Sequence, residues 1–168
     1  DRFTVIELSE GQRGAIAGML LADYGATVVR VEAPGSPDTR ELPGYTVWHR
    51  GKQSVTVNLG DPGGRGLFLR LLSGADAVLD ALPDGETARL GLDYEKVHAL
   101  HPALVYCSLT GYDLNSPDAG RPAYDGLVQA RSGAMVGASW DSAGTNPHRP
   151  GPKYMGFAAP SYVSAFFA

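Results

Sequence analysis

Gly11-Gln12-Arg13-Gly14-Ala15-Ile16-Ala17-Gly18 follows a short β-branched run, and an acid, Glu32, closes a second such run some 20 residues later. Glycines at a strand-to-helix turn, with a carboxylate at that distance, are the parts of a dinucleotide site. The helix N-terminus takes the diphosphate and the acid takes ribose hydroxyls. The spacing here is G-x-x-G-x-x-x-G rather than G-x-G-x-x-G, so the second glycine does not stand where backbone must approach phosphate. Close packing of a helix on a strand explains the same glycines. A module binding NAD(P) or ADP through this first βαβ unit is the alternative reading. His98 and His101 can share a helix face, but two imidazoles without a neighbouring cysteine or carboxylate at ligand spacing do not make a metal site. No metal is expected. The single cysteine, Cys107, falls mid-strand, where a thiol packs as a small hydrophobe. Asp61-Pro62-Gly63-Gly64-Arg65-Gly66 lacks the G-K-[ST] of a phosphate loop and reads as a capped helix start.

These residues must be held by elements, and the pattern supplies them in alternation. Residues 3–8, 27–32, 54–58, 77–79 and 104–109 are short apolar runs of strand type. Between them, helices are expected over 12–24, from Asp61 as N-cap through Leu72, at 87–90, and at 94–100 behind Asp93. Further helices are expected at 124–131 and over 156–168. Residues 33–46 and 137–152 read as loops rich in glycine and proline. Strands alternating with helices predict an open, mostly parallel α/β sheet with helices on both faces. Such sheets bind ligands beyond the carboxyl ends of their strands.

Composition narrows the class. With 168 residues, 43% apolar and 19% charged, the chain can bury a substantial core. A net charge of −4 gives no footprint for nucleic acid. No apolar run reaches the roughly 20 residues of a membrane span. No secretory signal is visible, so a cytoplasmic location without membrane or nucleic-acid partners is expected. Glycine is in excess, 22 of 168 residues, with 12 prolines, which implies many tight turns and close backbone approaches. The apolar run over 161–168 carries no stop signal, as expected of one part of a longer chain.

A series of segments extends the reading. Val5-Ile6-Glu7-Leu8, Leu20-Leu21-Ala22-Asp23-Tyr24-Gly25-Ala26-Thr27 through Glu32, Arg50-Gly51-Lys52-Gln53-Ser54-Val55 and Ala75-Asp76-Ala77-Val78-Leu79 occur in order. They are followed by Arg89-Leu90-Gly91-Leu92-Asp93-Tyr94, by His101-Pro102-Ala103-Leu104 through Tyr112, and by Arg121-Pro122-Ala123-Tyr124-Asp125 with Gln129-Ala130 and Ser132-Gly133. Together they resemble the N-terminal part of family III CoA-transferases, the family of formyl-CoA transferase, the carnitine CoA-transferases and α-methylacyl-CoA racemase. The resemblance implies that residues 1–168 form the N-terminal, Rossmann-like part of a large domain, with the small domain and C-terminal part lying outside them. It implies a polypeptide more than twice as long, and homodimers in the full-length form. The remainder of its own chain, or a second CoA-transferase-like domain, would be the partner. The implied substrates are coenzyme A or acyl-CoA, with CoA passed between an acyl-CoA and a carboxylic acid. An aspartate attacks the thioester and becomes an anhydride, then an aspartyl-CoA thioester. Backbone donors stabilise the oxyanion.

Against that pattern, Phe157 in Tyr154-Met155-Gly156-Phe157-Ala158-Ala159-Pro160-Ser161 falls where the resemblance places the aspartate. No acid occurs between Gly144 and Ala168. Asp125 and Asp141 match positions that are not nucleophilic in the family. The resemblance also thins the CoA contacts: Ala33, Gly60 and Ala81-Leu82 stand where polar residues are common. Gln12 in the first loop, Val57 near an adenine-facing position and Arg89, whose guanidinium suits phosphate, remain as cofactor-binding candidates. Tyr124 precedes Asp125 where racemases of the family carry histidine, so racemase chemistry has no visible base. The expected outcome is a CoA-transferase-like segment that is noncatalytic by itself. An interaction fragment using the apolar face of residues 162–167 is a third reading.

Overall fold

The computed structural model describes residues 2–35, 43–137, 154 and 156–168. Five strands, β1 (Thr4–Ser9), β2 (Thr27–Glu32), β3 (Gln53–Thr56), β4 (Ala77–Ala81) and β5 (Val105–Ser108), form one sheet in the order β3-β2-β1-β4-β5. Every pairing is parallel. The helices are α1 (Gln12–Asp23), α2 (Tyr45–Trp48), α3 (Pro62–Leu72), α4 (Glu86–Leu90), α5 (Tyr94–Leu100), α6 (Asp125–Arg131), α7 (Ala134–Gly137) and α8 (Ala159–Phe166). The expected α/β sheet covered on both faces is what forms. Among the described residues no helix is long and apolar enough to cross a membrane.

Alternation along the strands sorts the core into two layers. Ile6, Leu8 and Val78 meet Phe68 and Leu72 of α3 and Val97 of α5 on one face. Val5, Val28 and Leu79 meet Ile16 and Ala17 of α1 and Ala165 of α8 on the other. Phe68 is fully buried, and burial of such a side chain contributes roughly 1.5–3 kcal/mol.

Local chemistry sets the helix starts. The Asp61 carboxylate accepts from the N–H groups of Gly63 and Gly64 at 2.9 and 3.2 Å, with Pro62 in the first turn. Asp93 accepts from Lys96 N at 3.2 Å and opens α5. Both caps are as the sequence predicts. Several elements differ. The third strand ends at Thr56, because the Asn58 side chain accepts from Gly60 N at 3.1 Å and turns the chain. The fourth runs on through Asp80 and Ala81, both buried. Asp80 can be buried there because Leu82 N, Thr87 Oγ1 and Tyr106 OH donate to its carboxylate at 3.2, 3.1 and 2.9 Å. The loop expected over 33–46 gives way at its end to α2, entered through Gly44 at a φ of 89°. The short α7 was not expected either. Asp141, and the loop predicted over 137–152 from residue 138 onward, lie outside the described residues.

His49 ends α2, with its ring 4.3 Å from that of Tyr45. Burial, then the positive charges of Arg30 and Lys52, push its pKa down to about 4 from 6.5. The unfolded chain therefore takes up this proton first as pH falls. Stability is unaffected above about pH 6.5 and is lost progressively toward pH 4. With the ring partly exposed, the loss is about 1–2 kcal/mol. Urea midpoints at about pH 7 and about pH 4.5 should show this slope in the native protein and a shallower one in His49→Gln.

Candidate ligand-binding site

The carboxyl ends of β1 to β4 open into a cleft of about 840 Å³. It spans the point between β1 and β4 where the strand order reverses, the usual ligand position in an open parallel sheet. Ser9, Glu10 and Gly11 form one side, Glu32 and Ala33 a second, Asn58 to Gly60 a third, and Leu82 with Glu86 and Arg89 of α4 the last.

The glycines predicted to matter divide by role. Gly11 has a φ of 79°, is the N-cap of α1, and a Cβ there would meet nothing within 4 Å. Its need is conformational. No side-chain hydrogen bond from the N-cap closes this helix end, and Gly11 itself lines the cleft. Gly14 and Gly18 are packing positions. A Cβ at Gly14 would lie 2.5 and 2.6 Å from the Cβ atoms of Ser9 and Ala81, and one at Gly18 would lie 1.9 Å from Glu7 Oε2. The close-packing explanation of these two glycines therefore holds.

Beneath the helix lies a buried ion pair that the sequence reading did not single out. Glu7 is fully buried in mid-strand, and its Oε2 accepts from Lys52 Nζ at 2.6 Å. Ser9 Oγ donates to Oε1 at 2.6 Å, and Lys52 Nζ also donates to the Ala15 carbonyl at 2.7 Å. Burial pushes the Lys52 ammonium pKa down, with Glu7 acting in the opposite sense. The pair ties β1, α1 and the entry to β3 together below the cleft. A charged residue inside the apolar run Val5-Ile6-Glu7-Leu8 was the available signal, since parallel strands are usually apolar on both faces.

The four candidates fall in different places. Val57 lines the cleft from its floor, 2% exposed, with its N–H donating to the Glu32 carbonyl at 2.8 Å. Arg89 lines the opposite wall, where its Nε and Nη2 donate to Glu86 at 2.9 and 2.5 Å. Gln12 is the first residue of α1 rather than part of a loop, and adjoins the rim at Gly11. Phe157 is not among the lining residues. Its ring is half exposed and its carbonyl accepts from Gln129 Nε2 at 2.9 Å. The cleft thus gathers Val57 and Arg89, with Gln12 at its edge.

Asp125 is engaged elsewhere. Its carboxylate accepts from Ser161 N at 3.0 Å and Ser161 Oγ at 2.7 Å, so it caps α8 from α6. Asp125→Ala should cost about 1–2 kcal/mol, as loss of an N-cap does, measurable as a lowered urea midpoint with an unchanged m-value. His98 stacks on Tyr94 at 5.1 Å, and no group of three or more His, Cys, Asp or Glu converges for a metal among the described residues. Cys107 is half buried, and burial followed by the Asp80 charge pushes its thiol pKa up. That is the opposite of an activated nucleophile.

Comparison with known proteins agrees with this architecture. The model of CoA-transferase family III matches residues 1–167. The chain is 34% identical over 145 residues to an acetyl-CoA:oxalate CoA-transferase of Acetobacter aceti, covering 81% of this chain and 37% of that protein. It is 39% identical over 147 residues to a succinate–glutarate CoA-transferase of Agrobacterium fabrum, covering 78% and 37%. A crystal structure of a hypothetical protein of Mycobacterium tuberculosis superposes with a TM-score of 0.83 at 32% identity, over 99% of this chain and 48% of the other. A CaiB/BaiF family protein of Brucella suis gives 0.82 at 32%, over 99% and 47%. The chain thus spans little more than a third of the length of these curated relatives. With the sheet order, the cleft and the segment series in agreement, the chain belongs to CoA-transferase family III.

Proposed function

We propose that residues 1–168 are the N-terminal, CoA-binding part of the large domain of a CoA-transferase-like protein, and that this part is noncatalytic by itself. The observation that carries the reading is the cleft at the carboxyl ends of β1 to β4 in a member of this family, with the uncapped start of α1 at its rim. A helix N-terminus of that kind favours the diphosphate of CoA. Val57 would pack on the adenine, and Arg89 and Gln12 would reach phosphate or amide groups.

The second half of the proposal rests on Phe157. A phenyl ring cannot attack a thioester, and its half-exposed position beside α8 leaves no carboxylate in the segment that resembles the nucleophile's. Asp125 cannot stand in for it without giving up the α8 cap. The catalytic aspartate would then come from another part of the protein or from a second CoA-transferase-like domain. The full-length form would be a cytoplasmic homodimer.

Titration calorimetry with CoA and acetyl-CoA, paired with an isotope-exchange assay between acetyl-CoA and acetate, tests both halves. Weak CoA binding with no exchange by this segment is the expected result. Exchange that is abolished by Asp125→Ala or Asp141→Ala would overturn the noncatalytic reading. The nucleotide alternative shares the α1 N-terminus and Glu32. It predicts that NAD(P) or ADP raises the melting temperature where CoA does not.

A further inference from the structure

Arg13 is the second residue of α1, two positions past Gly11 on the cleft rim. Its side chain is partly buried and crosses from the helix to the turn after β5. A Cβ built on Gly111 in that turn would stand 3.2 Å from Arg13 Nη1. The guanidinium therefore lies beyond the carboxyl end of β5, on the side of the sheet ends where parallel sheets take ligands. The same Cβ would stand 1.8 Å from that of Ala123, the residue before the N-cap of α6. The starts of α1 and α6 thus converge with this turn around Arg13. The start of α8 is tied to the same place, because Asp125 in the first turn of α6 holds Ser161.

Among the described residues no acid pairs with Arg13, and no carbonyl or side chain accepts a hydrogen bond from it. The acids of the 110–125 segment are engaged with other groups. Asp113 accepts from Asn115 N at 2.7 Å, Asp118 takes Arg121 at 3.1 Å and also Arg131, and Asp125 accepts from Ser161 Oγ at 2.7 Å. A guanidinium keeps its charge at every working pH, and its planar fork fits a carboxylate with two parallel bonds. A partly desolvated charge without an acid of its own gains most from an anion that comes from outside the chain.

We propose that Arg13 recognises the acid substrate, taking a carboxylate through its guanidinium fork. This rests on the CoA-transfer reading above, in which one substrate is a carboxylic acid. The two ligands then flank the start of α1. CoA occupies the cleft over β2, β1 and β4, and the acid lies over the end of β5, between Gly111 and the start of α6. That places the acid beside the opening of α8, next to the segment that resembles the nucleophile's.

The test is calorimetric titration of the intact protein with succinate and with succinamide, its uncharged counterpart, each with and without saturating CoA. Succinate should bind at least about tenfold more tightly than succinamide, as a charge-assisted pair implies. Arg13→Gln should weaken succinate by roughly 10–100-fold and erase its preference over succinamide. Arg13→Lys, a point charge without the fork, should keep part of that preference. A merely structural arginine would not move this ratio, and urea unfolding checks the fold of each variant. Succinate binding within about twofold of native in Arg13→Gln, or no preference for succinate in the native protein, would overturn the proposal and leave the CoA reading intact. Failure of CoA to bind at millimolar concentration, with the succinate preference present and dependent on Arg13, would remove the CoA reading while upholding the carboxylate site.

Discussion

Replacing Lys52 with methionine is expected to destabilise the protein by about 3–5 kcal/mol, the range found when one member of a buried ion pair is removed. The pair is 2% and 0% exposed, and the lost ammonium leaves the Glu7 carboxylate with Ser9 Oγ alone as a donor in the sheet interior. The variant then buries an uncompensated carboxylate, which is what makes the loss large. Its unfolding free energy at neutral pH, from urea titration, gives the magnitude. The double variant Glu7→Gln/Lys52→Met removes the stranded charge and should recover most of the loss. A single variant within about 1 kcal/mol of the native protein would mean that solvent reaches Glu7 and that the tie between β1 and α1 contributes little.

The second large effect is expected at Gly14. Valine there would bring side-chain atoms into the Cβ atoms of Ser9 and Ala81, which a Cβ alone would already approach to 2.5 and 2.6 Å. Neither atom can move without its strand, so α1 must lift from the sheet. The cost should reach or exceed the upper end of the usual 1–3 kcal/mol for overpacking, and it should fall on the cleft as well, since Ser9 and Gly11 line it. Gly66 in α3 is the control. A Cβ there meets nothing within 4 Å, so Gly66→Ala should stabilise by roughly 0.5–1 kcal/mol through helix propensity and a restricted unfolded chain. Opposite signs at two helix glycines, read as shifts in urea midpoint, would separate glycine kept for space from glycine that is dispensable. A neutral Gly14→Val would return the first βαβ unit to a ligand-contact explanation.

Much of the fold was legible because its signals are local. Asp61-Pro62 and Asp93 announce the starts of α3 and α5, and both carboxylates accept the N–H groups that such caps should. The strand-helix alternation is likewise a property of short windows, and it led to the parallel sheet. The Glu7–Lys52 pair was not legible, since 45 residues separate its members and no periodicity links them. Only the odd acid in an apolar strand hinted that a partner must exist. Asp80 is similar: it lengthens β4 by recruiting Thr87 and Tyr106, which no propensity scale connects to it. At the cleft, Val57 and Arg89 were found through resemblance. The Glu86–Arg89 pair could have been seen from its three-residue spacing, which places both side chains on one helix face. Gln12 begins α1, as the helix pattern over 12–24 had it, although the resemblance set it in the first loop.

The central position of β1 has a consequence for biosynthesis. Of the five strands described it is made before the other four, yet its neighbours on either side are β2 and β4. Thr4 must wait for Asp76, 72 residues later, whose carboxylate receives its N–H at 2.7 Å. At about 5–20 residues per second, the nascent chain carries that unpaired edge for on the order of 4–14 s. Glu7 emerges 45 residues ahead of Lys52, and its charge keeps this apolar segment hydrated until the partner that permits its burial has been made.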